Sequence, residues 1–183
     1  MSTAQYQAKH LLREYGLSII LVVVALSITI ILLLHVKSIL IIALLMLIGS
    51  LSHIHMRFIS WIGLELCLVV TICLGWLFGP VVGMIGGFIT VVIADILGAC
   101  VSETSLVSYT ITALVGFVCG FFGGLPLLTV GIIATFFYSV ITASLYIGLG
   151  LAIPVRAIGY AVTHTLFSWW VLWIVTPALA TLA

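Results

Sequence analysis

Three ionisable side chains stand inside long apolar runs: Glu65 in the segment Trp61–Phe78, Asp95 in Val81–Ala99 and His164 in Ala157–Thr176. In a hydrocarbon setting such a group is costly unless it faces the interior of a helical bundle or a water-filled cavity, so each marks a candidate functional position. A carboxylate there accepts hydrogen bonds or pairs with a cation, and an imidazole can donate or accept. Glu65 follows Arg57 by eight residues, about 12 Å along a helix, and His164 follows Arg156 by the same interval. Asp95 precedes Cys100 by five residues. All three therefore belong near the end of the bundle where residues 52–60, 100–108 and 153–156 connect the spans. Arg57, Glu103 and Arg156 lie in those connections. Polar groups gathered at one end imply a cavity opening there, with donors and acceptors for a small polar molecule.

Each residue also has a structural reading. Asp95 can cap the turn that follows it or accept hydrogen bonds from Ser102 and Thr104. Glu65 can form an ion pair with Arg57 or Arg156, and His164 can bond between helices. His53 and His55 alternate as interfacial histidines do, which favours solvated rings over a metal site. The tryptophans Trp169, Trp170 and Trp173 suit an interfacial belt as well as a stacking platform. Cys67, Cys73, Cys100 and Cys119 lie within or beside apolar segments without CxxC spacing and read as small packing residues. HExxH, GxSxG and Walker A patterns are absent, so the chain is read as no enzyme, with no metal and no cofactor. Any ATP-driven role requires another chain to supply the energy.

The elements that must position these residues follow from composition. Hydrophobic residues make up 65% and charged residues 5%, with a mean hydropathy of +1.53, which excludes a soluble core-and-surface arrangement. A net charge of +1 from scattered basic residues excludes a nucleic-acid partner. The expected fold is an all-α integral membrane protein, a compact bundle of six to seven transmembrane helices. Residues 1–16 form a polar interfacial segment, and residues 17–183 form a single transmembrane domain. The expected spans are Leu17–Leu34, Ile39–Leu51, Trp61–Phe78, Val81–Ala99, Tyr109–Phe122, Leu127–Ala152 and Ala157–Thr176, seven if the first two both cross. Leu17–Leu34 has the length of a retained span, not of a cleaved signal peptide. Gly79-Pro80 and Gly123-Gly124-Leu125-Pro126 are turns, and Cys100–Ser108 is a loop. Small residues recur every fourth position along Gly79, Gly83 and Gly87, along Gly116, Gly120 and Gly124, and along Gly131, Thr135, Ser139 and Ala143. Such ridges let helix backbones approach closely. No inverted repeat is visible, which disfavours a two-fold symmetric transporter.

The run L-F-G-P-V-V-G-M-I-G-G-F-I-T-V-V-I-A-D-I-L-G (Leu77–Gly98) resembles the substrate-binding S components of energy-coupling factor (ECF) transporters. Ile41–Leu51 is similar to the first helix of that family and Phe117–Gly124 to its fourth. The likeness runs from about Lys37 to the end. It departs from the family in the extra run Leu17–Leu34 and in a docking motif only partly present at Ala43 and Leu47. The resemblance implies a six-helix binder in the cell membrane that captures a vitamin-like nutrient for a transmembrane coupling subunit and two ATPase subunits. It also implies that the polar end faces outward. Counting basic residues over seven spans puts that end inside instead, and the outward orientation is adopted here. Arg57 and Arg156 are expected to hold an anionic group of the ligand. Glu65, Asp95, Glu103 and His164 are expected to bond its polar atoms, and Trp169 or Trp170 to stack on a ring. The alternative is a scaffold subunit of a larger membrane complex, with no ligand of its own.

Overall fold

The computed structural model describes Val24, residues 36–54, residues 62–179 and Thr181. Residues 1–16, the run Leu17–Leu34 (Val24 apart) and Arg57 lie outside the described residues. The chain divides into two units, residues 1–41 and 42–183. Val24 and residues 36–41, the described part of the first, are helical. Six helices are described: α1 (Val36–Ser52), α2 (Cys67–Phe78), α3 (Pro80–Gly98), α4 (Glu103–Cys119), α5 (Leu127–Gly148) and α6 (Pro154–Leu179). The described fold is all-helical. The helices α3, α4 with its short 3-10 extension, α5 and α6 are long and apolar enough to cross a membrane, whereas α1 and α2 are shorter apolar helices.

Helix α2 is the centre of the second unit. Every residue from Cys67 to Gly75 is buried, as befits a helix apolar on all sides. Leu68, Ile72 and Cys73 pack with Cys119 of α4, Leu127 and Tyr138 of α5 and Leu172 of α6. The outward faces carry large apolar side chains such as Ile85, Leu106, Phe137 and Trp173.

Close approach between helices depends on missing side chains. A Cβ at Gly83 would run into the backbones of Gly116 and Gly75, and one at Gly120 into Pro80. The backbones of α2, α3 and α4 therefore touch, as the ridges predict. Two glycines of the expected ridges serve otherwise. Gly79 sits at φ 91°, left-handed territory that favours glycine, and turns the chain into Pro80 at the start of α3. Among the described residues, a Cβ at Gly124 would meet nothing within 4 Å.

Three expected boundaries are corrected. The third span was placed at Trp61–Phe78, but its helix begins at Cys67. Two backbone groups just before it bond to side chains instead of to a helical ladder: Gly63 N–H donates to Thr163 Oγ1 at 3.0 Å and Leu66 N–H to Ser52 Oγ at 2.8 Å. The fifth begins at Glu103, so most of the expected loop is helix. Ser102 and Ser105 form a capping box there, with Ser102 N–H donating to Ser105 Oγ at 3.0 Å. The last begins at Pro154 and not after it, because proline is tolerated in a first helical turn.

The connections alternate between the two ends. At one, Trp76 Nε1 donates to the Leu125 carbonyl at 2.8 Å, tying the end of α2 to the α4–α5 turn. At the other, the hydroxyls of Ser108 and Tyr146 lie 2.8 Å apart, joining α4 to α5.

Candidate functional site

The polar end is built around His53, in the turn that follows α1. Its Nδ1 meets Glu65 Oε2, and its Nε2 lies 3.2 Å from Asp95 Oδ1. Asp95 comes from the last turn of α3, and its other oxygen accepts from Ser105 Oγ at 2.6 Å and Tyr109 Oη at 2.9 Å, both on α4. Glu65 stands in the extended stretch before α2, where its Oε1 accepts from the Tyr160 hydroxyl of α6. His164 Nε2 lies 3.6 Å from the same oxygen. His53, Glu65 and Asp95 are each about 95% buried. Buried polar groups persist when paired and hydrogen-bonded, and a histidine ring set between two carboxylates meets that condition.

Local packing sets this arrangement. Any Cβ at Gly63 would strike His164, so the stretch before α2 lies directly on α6 and brings Glu65 to Tyr160 and His164. Ser52 Oγ, which receives the Leu66 N–H, donates to the Gly49 carbonyl at 2.6 Å, and the Cys67 thiol donates to that carbonyl at 3.3 Å. Ser50 Oγ donates to the Thr90 carbonyl at 3.1 Å, holding α1 on α3. The His164 ring stacks on Tyr160 at 5.6 Å with 12° between planes.

A cavity of about 550 Å³ lies over this cluster. His53, Glu65, Cys67 and Asp95 form one wall, and the hydroxyls of Ser108, Thr112, Tyr138, Tyr146 and Tyr160 form much of the rest. Glu103 and Arg156, both exposed, line it from the first turns of α4 and α6. Its volume is within the range of small-molecule sites, roughly 300–1,000 Å³.

Of the residues named from sequence, Glu65, Asp95, Glu103 and Arg156 line one cavity. His164 is fully buried behind Glu65 and does not line it. Trp169 and Trp170 stand elsewhere on α6: the Trp169 indole donates to the Ile132 carbonyl at 3.3 Å, and Trp170 is 59% exposed. Neither lines the cavity, so the expected stacking role does not fit their placement. The partners expected of Asp95, Ser102 and Thr104, are replaced by Ser105 and Tyr109. Ser102 caps the start of α4, and its hydroxyl pairs with Thr104 at 2.8 Å. Among the described residues Glu65 pairs with histidines and not with Arg156.

Sequence reasoning missed His53, read as a solvated interfacial ring, and the tyrosines Tyr109, Tyr138, Tyr146 and Tyr160. A signal for His53 existed. Gly49 and Ser50 precede it by four and three residues, so a helical reading puts all three on one small-residue face.

Comparison with family models, curated proteins and solved structures finds no match to this chain.

Proposed function

We propose that this protein is a substrate-capture subunit embedded in the cell membrane, binding a small water-soluble nutrient of vitamin size. The observation that carries the reading is the cavity of about 550 Å³ lined by buried ionisable groups and hydroxyls within an otherwise apolar helical bundle. A structural anchor has no need of such a space, and polar and ionisable side chains are costly in an apolar bundle. Arg156 and Glu103 at the rim offer opposite charges to an arriving solute. The tyrosine, serine and threonine hydroxyls offer both donors and acceptors, which suits a ligand carrying several polar atoms. The acids act largely through groups they orient, since His53, Tyr160, Ser105 and Tyr109 already engage their oxygens.

The likeness of Leu77–Gly98 to ECF S components supports delivery of that solute to a transmembrane coupling subunit driven by two ATPases. The test is mass spectrometry of small molecules released from purified, folded protein, followed by uptake with candidate coupling subunits. A stoichiometric polar metabolite and partner-dependent uptake are expected. If folded protein carries and binds nothing, the scaffold reading replaces this one.

A further inference from the structure

We propose that His53, Glu65 and Cys67 form a binding site for one divalent transition-metal ion of the zinc or cobalt class, with an open coordination position facing the cavity. The inference stands apart from capture of an organic nutrient and departs from the sequence reading, which assigned no metal. One nitrogen, one carboxylate oxygen and one sulfur from these buried residues lie within 4.8 Å of one another. Ions of this class take such atoms at about 2.0–2.3 Å, which sets tetrahedral ligands roughly 3.3–3.8 Å from one another, so small side-chain adjustments would close this set on one ion. A nitrogen, oxygen and sulfur set favours zinc or cobalt over calcium or magnesium, which prefer oxygen alone.

The surroundings are those of a ligand sphere. A metal-binding histidine usually gives its other nitrogen to a carboxylate, which fixes the ring and leaves a lone pair for the ion. Asp95 does this for His53, Oδ1 to Nε2 at 3.2 Å, and is itself held by Ser105 and Tyr109. His53 Nδ1 then faces Glu65 Oε2 across a short gap without hydrogen-bond geometry. The fully buried His164 points Nε2 at the same carboxylate, and among the described residues neither of its ring nitrogens has a hydrogen-bond partner. All three proposed ligands line the cavity, so water or a solute can complete the sphere. Binding would release the Cys67 thiol proton, now directed at the Gly49 carbonyl, and any proton shared by His53 and Glu65. The rival occupant of the gap is that proton alone.

The experiment uses the intact chain in detergent, stripped by chelator and titrated with Co²⁺ alone. The expected result is one ion per chain with a near-ultraviolet thiolate-to-cobalt band, displaced by Zn²⁺. Cys67→Ser should abolish that band, while Cys119→Ser, a core thiol elsewhere, leaves it intact. Asp95→Asn should weaken binding by about 10- to 100-fold, and His53→Gln by more. Monodisperse wild-type protein that binds no Co²⁺ above the detergent blank would overturn the proposal. So would a spectrum unchanged by Cys67→Ser, a conservative variant that decides the matter even if His53→Gln fails to fold. Nutrient binding without metal binding would sink this inference and leave the proposed function standing.

Discussion

Nε2 of His53 lies 3.2 Å from Oδ1 of Asp95, while Nδ1 of the same ring meets Glu65. One imidazole thus joins the end of α1, the approach to α2 and the last turn of α3. It also separates two carboxylates that would otherwise face each other in a buried space.

The first prediction follows from that separation. Removing one member of a buried charged set leaves the others uncompensated, at a cost of about 3–5 kcal/mol. In the metal-free protein, His53→Gln should lower the thermal midpoint markedly in detergent. His53→Gln combined with Glu65→Gln and Asp95→Asn should recover part of the loss, since contacting residues are not additive. A triple variant less stable than His53→Gln alone would show that the cluster is not electrostatically coupled.

Helix contact gives the second. Gly83→Ala and Gly116→Ala each put a methyl group into the facing backbone, so both should aggregate or lose yield in size-exclusion profiles. Among the described residues Gly148→Ala and Gly159→Ala meet nothing within 4 Å, and both should behave as wild type. Similar profiles for all four would remove the packing argument.

What the sequence made legible follows from where the physics is local. The Gly-Pro turn and the glycine contacts rest on spacing along single helices, which periodicity reports directly, and the convergence of Glu65, Asp95, Glu103 and Arg156 rests on alternate connections lying at one end of the bundle. The start of α4 was missed because Cys100–Ser108 is polar enough to read as loop, although Ser102 and Ser105 carry its capping box. The start of α2 was missed because Gly63 and Leu66 bond to Thr163 and Ser52, partners that lie far off in sequence. The same long-range packing buries His53 and keeps Trp169 and Trp170 from the cavity.

The third prediction concerns threading. In a background without native thiols, Glu103→Cys and Arg156→Cys should react with an impermeant maleimide from one face of the membrane, and Gly124→Cys from the other. The proposed orientation puts the first pair outside. Labelling of positions 103 and 124 from the same face would break the alternation that brings Asp95 and Glu65 to one end.

Capture of a small polar solute in the cavity is tested most directly by equilibrium binding of the co-purified compound to two variants of α6. Arg156 lines the cavity and Trp170 does not. A hydrogen bond to a charged group is worth about 1.5–3 kcal/mol, so Arg156→Gln should weaken binding roughly ten- to a hundredfold. Trp170→Phe should leave affinity within about twofold, since it removes no contact in the cavity. Equal affinities for Arg156→Gln and wild type, or a greater loss from Trp170→Phe, would contradict binding at this site.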